Sequence, residues 1–318
     1  MKAFFLKLQA RTQEIFLPVT PISVNHPSTS VSYPAIKHLL LSQLQAALGL
    51  YVPDGSVLNQ QDWDISLHRA KDYRRILYIS GLALQLEKTQ KIPALEIATA
   101  LAKLVVNIAT PIPGAGSEHD FTVQVVPPGW IHLELTEKAI AAWLQRLHSS
   151  PPRLGNLSLE HRLPRGDTSH LFAVQYAHAR CCSLVYLAHR EKLMIVRVEP
   201  NTSSAVFRAI DPDPIPWLNG DQIRFCLPAE RALITQLLGL LDDLYCPGKE
   251  GKIKDLEKAA LNLSQTFQNF YSSSRIWGEV KINSLHLAQA RLGLVMATQP
   301  ILRLLLQDRL GVFAPLEL

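Results

Sequence analysis

The stretch FTVQVVPPGWIHLEL, residues 121–135, constrains the fold of this chain more than any other. Phe121, Val123 and Val125 alternate with Thr122 and Gln124, and Ile131, Leu133 and Leu135 alternate with His132 and Glu134. A period of two is the signature of a half-buried strand, and two such runs joined by Pro-Pro-Gly predict an antiparallel hairpin. Trp130, His132 and Glu134 then share the face opposite the apolar one. That apolar face must be covered, and the flanking segments offer helices to cover it.

Apolar residues recur at helical spacing over about 35–48, with Gly49 as a stop, and over about 72–87, 93–108 and 136–148. Pro93 suits a first helical turn and Thr136 suits an N-cap. Residues 1–150 are therefore expected to form an α+β domain. Residues 151–169, rich in Pro, Ser and Gly, read as a linker. Beyond it, 170–318 is expected to be an all-α helical bundle, with helices from about 172 and over about 228–246, 252–272 and 284–307, the last kinked or restarted at Pro300. A strand or loop region at KLMIVRVEP and a Pro-rich DPDPIPW intervene.

Of 318 residues, 47% are hydrophobic and 19% charged, which predicts a folded globular protein. The net charge of +5 leans mildly towards an anionic partner. The clusters HRAKDYRR and GKEGKIK are read as solvated faces. Cys181, Cys182, Cys226 and Cys246 show no metal-ligand spacing, so neither a disulfide framework nor structural zinc is expected. The first residues lack an apolar leader, and no apolar run is long enough for a bilayer, so a cytoplasmic protein is expected.

No catalytic constellation is found. PGAGS follows a helix rather than a strand, HExxH and GxSxG are absent, and Asp242 and Asp243 diverge on a helix. No catalytic residue, metal or cofactor is expected. One helix face stands out instead. Phe172, Tyr176, Arg180 and Ser183 share a stripe, while Leu171, Val174, Cys181 and Val185 line the opposite, core-facing one. A tyrosine one turn from an arginine suits an unstacked base and a phosphate. A buried Tyr and an internal ion pair are the alternative reading.

These residues also carry a family resemblance. VQYAHARCCSLV, LPAERALITQLLGL, LSQTFQNFYSSSRIWGE and the closing QARLGLVMATQPILRLLLQDRLGVFAPLEL resemble, in order, the DALR anticodon-binding domain of arginyl-tRNA synthetases over about 170–318. KDYRRILYISGLALQLEKTQKIPALEIATALAKLV and VQVVPPGWIHLELT resemble the synthetases' N-terminal additional domain. In a full synthetase a catalytic core of several hundred residues lies between these two domains. Here only about 20 linker residues stand there, without the HIGH-like and KMSKS-like signatures.

The resemblance implies a non-catalytic synthetase paralogue that binds tRNA, arginine tRNA first, and presents it to a partner such as a tRNA-modifying enzyme or a synthetase. It implies anticodon contacts at Tyr176, Arg180, Phe270, Tyr271 and Arg275, and D-loop contacts at Trp130 and His132, where His132 replaces the family's Asn. Glu134 would repel a nearby phosphate. Arg291 reads as structural, and Leu318 stands where the family has a terminal Met. Two other readings follow from the same residues: a protein-interaction module that has lost RNA binding, and a subunit completing a synthetase in trans.

Overall fold

Strands β3 (Phe121–Val126) and β4 (Trp130–Leu135) pair antiparallel, Val123 opposite Leu133 and Val126 opposite Trp130. The computed structural model describes residues 35–52, 64–108, 120–152, 169–201, 204–246 and 255–318. Ile131, Leu133 and Leu135 are buried, as the alternation requires. Two further strands, β1 (Leu67–Arg69) and β2 (Leu77–Ser80), complete a sheet of order β1-β2-β4-β3.

β2 falls where the periodicity predicts part of a helix over 72–87. The helix instead begins after Gly81, as α2 (Leu82–Gln90). ILYIS is β-branched and aromatic, and its backbone pairs with β4, with Tyr78 opposite Leu133 and Ile79 opposite His132. Long-range pairing overrides a short helical period. Helices α1 (Ile36–Tyr51) and α3 (Ala94–Ile108) fall close to their predicted bounds, although α1 continues through Gly49. Helix α4 (Glu137–Ser149) starts at Thr136, whose side chain accepts a hydrogen bond from Ala139 N.

The C-terminal part is a helical bundle. Helix α5 (Phe172–Arg190) packs against α7 (Leu256–Ser273) and α9 (Leu285–Arg303), with α6 (Pro228–Tyr245) and the short α8 (Glu279–Asn283) beside them. Pro300 lies inside α9, which ends in a wider π-turn over Leu304–Arg309. Between α5 and α6 stand the hairpin β5 (Ile195–Asn201) with β6 (Ser204–Asp211) and the miniature β7 (Leu218–Asn219) with β8 (Gln222–Ile223). The four cysteines are free thiols. Cys181 and Cys182 are buried, and burial pushes the Cys182 thiol up to about 12. No described helix is long and apolar enough to cross a membrane. The predicted linker lies almost wholly outside the described residues, as do residues 1–34 and the PGAGS loop.

Tyr33–Leu318 form one compact unit, and α4 is its keel. Near its N-terminus, Glu137 takes both outer nitrogens of Arg231 at 2.9 and 2.8 Å and the Ile223 N–H at 3.3 Å. In its last turns, Gln145 Oε1 accepts from Ile215 N at 3.1 Å and Trp217 Nε1 at 2.9 Å. His148 Nε2 accepts from Ala209 N at 2.9 Å. The Pro-rich segment is thus a docking surface. Gly293 on α9 lets Trp217 lie against the helix backbone, where any Cβ would collide with the indole.

A second junction joins α6 to the sheet. Asp242 is 3% exposed; it accepts from Tyr78 Oη at 2.6 Å and from Lys37 N at 2.9 Å. Burial raises its carboxyl to about 6, while the two hydrogen bonds and the charges of Arg69 and Lys37 oppose the rise. At the other end, His178 Nδ1 bonds Pro315 O at 2.8 Å and its Nε2 meets Gln299 Nε2 at 2.8 Å. A carbonyl can only accept and an amide N–H only donate. His178 is therefore neutral with its proton on Nδ1.

Opposite pH dependences follow. Asp242 binds its proton more tightly folded than unfolded, so its stability contribution, full below pH 4, is lost as pH rises through about 6. Asp242→Asn keeps both polar contacts and should exceed wild type by roughly 1–3 kcal/mol at pH 8 while matching it at pH 4. Urea unfolding across that range reads this, and a variant less stable at pH 8 refutes it. Burial lowers the pKa of His178, so its contribution is lost as pH falls below the unfolded value of 6.5. Protection of the Val312 amide, which bonds Leu306 O, measured against the intrinsic exchange rate at each pH, should then fall in acid before global unfolding begins.

Candidate nucleic-acid interface

The stripe predicted on α5 is solvent-facing. Phe172 is 56% and Tyr176 46% exposed, Ser183 is exposed, and Arg180 is half-buried. Leu171, Val174, Cys181 and Val185 are buried on the opposite side. The division follows from the helical period, since each residue in the stripe lies three or four from the next.

Arg180 does not swing free. Its Nη2 donates to Tyr271 Oη at 2.6 Å, and its guanidinium carbon sits 4.9 Å from the Tyr271 ring centre. Tyr271 in turn stacks on Phe267, the planes 16° apart at 6.4 Å between centroids. Tyr271, held between Phe267 and Arg180, is half-buried and acts as a bracket for the guanidinium rather than as an open ring. Phe270 requires a correction. It is 0% exposed and packs in the core beside Phe267, 6.4 Å between centroids, so it offers no surface for a base. On α7 the aromatic pair Phe270–Tyr271 spans the boundary between core and rim, because adjacent helical residues point about 100° apart.

Arg275, just beyond α7, is exposed, and its carbonyl accepts from Arg291 Nη1 at 2.6 Å. Arg291 is buried and bonds Glu230 Oε1 at 2.6 Å, which makes it a structural residue. It fixes the backbone from which Arg275 projects.

One residue escaped the sequence reading. Phe313 is 69% exposed between the buried Val312 and Ala314, and its carbonyl accepts from Gln175 Nε2 at 2.9 Å. This hydrogen bond places the tail beside the first turns of α5, where Phe172 and Tyr176 also stand. The signal available was the alternation Val-Phe-Ala in an extended tail after Gly311, whose φ is +65°. Leu318 is 66% exposed.

The second surface is the outer face of the sheet. Trp130 is 37% exposed and lies on Gly81, where a Cβ would come within 3.0 Å of the indole. His132, half-buried, stands in register between Gln124 and Ile79. Glu134 faces the same way, but Arg75 Nη1 lies 3.6 Å from it and offsets its charge. Both ends of that pair are exposed, so the offset is partial and falls with salt. Among the described residues no cluster of His, Cys, Asp or Glu could hold a metal ion.

Comparison with known proteins bears on the first surface. Residues 174–318 match the DALR anticodon binding domain family. The chain is 33% identical over 161 residues to the arginine–tRNA ligase of Synechococcus sp. (strain JA-3-3Ab), covering 50% of this chain and 24% of that protein. It is 31% identical over 133 residues to that of Gloeobacter violaceus, and 30% over 145 residues to that of Desulfitobacterium hafniense, covering 20% and 22% of those proteins. The chain thus spans about a quarter of the length of these relatives, and only their anticodon-binding part is matched. Residues 174–318 are thus similar to the DALR anticodon binding domain, and the relatives that share this part of the chain are arginine–tRNA ligases.

Proposed function

We propose that the chain is a non-catalytic tRNA-binding protein of the cytoplasm, which grips arginine tRNA and presents it to a partner protein. The observation that carries this is the Tyr176 face. An exposed tyrosine stands one turn from an arginine already held in place by Tyr271, with Phe172 and Phe313 exposed nearby. Unpaired anticodon bases stack on such rings, at about 1–3 kcal/mol per base. Arg180 and Arg275 meet the phosphates. Trp130 and His132 form a second contact on the sheet, in the manner of the synthetases' N-terminal domain. Two contacts on one RNA raise the effective concentration of each.

The arrangement of the chain favours the non-catalytic reading. The sheet and the bundle pack directly on one another through Glu137, Gln145 and Asp242, and only residues 153–168 separate their described ends. Aminoacylation needs a nucleotide pocket, and no motif for one is present in the sequence. The partner is an enzyme that acts on the held tRNA.

Titration of the full chain against labelled arginine tRNA and a non-cognate tRNA tests the reading. Arginine tRNA should bind more tightly, and Tyr176→Ala should weaken it about 5- to 150-fold, with thermal stability unchanged because the ring is exposed. Arginine and ATP should give no charged tRNA. Weak binding, equal for both RNAs and indifferent to Tyr176→Ala, refutes the reading and turns the search to protein partners.

A further inference from the structure

The aromatic face of α5 includes a ring that does not belong to α5. Phe313 is more exposed than Phe172 or Tyr176, at 69% against 56% and 46%. Its neighbours Val312, Ala314 and Pro315 are buried, so the packing of the tail makes no use of the ring. Exposed rings scattered singly need no explanation, but rings brought to one place mark a binding surface.

Two side chains of α5 hold the tail. Gln175 Nε2 donates to Phe313 O at 2.9 Å, and His178 Nδ1 donates to Pro315 O at 2.8 Å. A carbonyl oxygen can only accept, so Gln175 must present its amide nitrogen there. Positions 175 and 178 stand about one turn apart on the helix, and their acceptors follow in the same order on the tail. The tail therefore runs beside α5 in the direction of the helix. Burial raises the pKa of the Tyr186 hydroxyl and the charge of Glu317 adds to the rise, so this carboxylate stands towards Tyr186, beyond the His178 contact. The acid of the tail is thus carried away from Phe313.

The two contacts do different work. His178 is buried and seats the tail against the bundle. Gln175 is half-buried at the rim, and its acceptor is the carbonyl of Phe313 itself. Phe172 precedes Gln175 by three positions and Tyr176 follows it, so the contact brings Phe313 to the turn of α5 that carries both rings.

We infer that Gln175 is a positioning residue for RNA binding: it pins the backbone of Phe313 so that this ring stands beside Phe172 and Tyr176 to receive an unpaired base. The inference rests on the tRNA-binding reading above and adds the residue that makes the tail part of the site. An RNA base is the occupant because a base arrives with its phosphate. Arg180, held by Tyr271, stands one turn from Tyr176 on the same stripe to meet that phosphate.

The test uses the full chain as wild type, Gln175→Met, Phe313→Ala and the two changes together. Methionine keeps the length of the glutamine side chain and lacks its donor. Without RNA, chymotrypsin should cleave after Phe313 about 2- to 12-fold faster in Gln175→Met, because one lost hydrogen bond eases local opening. With labelled arginine tRNA, Phe313→Ala should weaken binding about 5- to 150-fold. Gln175→Met should weaken it about 2- to 12-fold, since the RNA must then order the ring. In the double variant the Gln175 change should add nothing to the loss from Phe313→Ala, because it acts through that ring. Thermal midpoints should stay near wild type, since His178 and the buried Val312, Ala314 and Pro315 still seat the tail. Unchanged cleavage, tRNA affinity indifferent to Gln175→Met, or losses that add in the double variant each overturn the positioning role, while dependence on Tyr176 leaves the tRNA reading standing. Wild type that fails to bind tRNA at all overturns the inference together with the reading beneath it.

Discussion

Glu230 has no access to water, and the bundle is organised around what it holds. One carboxylate oxygen accepts from Arg291 Nε at 2.6 Å and the other from the Leu227 N–H at 2.7 Å, closing the first turn of α6. Arg291 spends another nitrogen on the Arg275 carbonyl. Three elements thus meet at one ion pair: the start of α6, the middle of α9 and the loop after α7. Burying both charges is costly, and what offsets it is their mutual ion pair together with the hydrogen bonds to the Leu227 N–H and the Arg275 carbonyl. Losing either partner leaves an uncompensated buried charge, at about 3–5 kcal/mol.

A similar logic governs the join between sheet and bundle. Apolar packing is continuous across it, but the polar groups of α4 set the alignment. Glu137, Gln145 and His148 each recognise a different backbone or side-chain donor of the 209–231 region. Two glycines permit the close approaches: Gly239 under the Arg69 guanidinium and Gly293 under Trp217. A segment read as an interruption of the bundle is therefore the surface against which the first part is seated.

The elements most legible in the sequence were those whose period is local. The hairpin over 121–135, α3, α4 and the main helices of the bundle followed from alternation or helical spacing. β2 did not, because ILYIS satisfies both periods and only its pairing with β4 decides. The exposed face of α5 was legible for the same local reason. Phe270 was not, since whether an aromatic on α7 faces core or solvent depends on which helix it meets. The bracket of Tyr271 on Arg180 joins residues 91 apart, and the contact of Gln175 with the tail spans 138. No periodicity carries such information.

The Arg180–Tyr271 bracket has a thermodynamic consequence. A surface arginine normally surrenders the freedom of four torsions when it closes on a ligand, at about 0.5–1.5 kcal/mol for one rotamer-rich side chain. Here folding has already fixed that geometry, through a hydrogen bond at one end of the guanidinium and a ring beneath it. Any anion arriving on this face meets a group that is oriented in advance. The ordering cost is thus charged to the stability of the fold and not to the encounter.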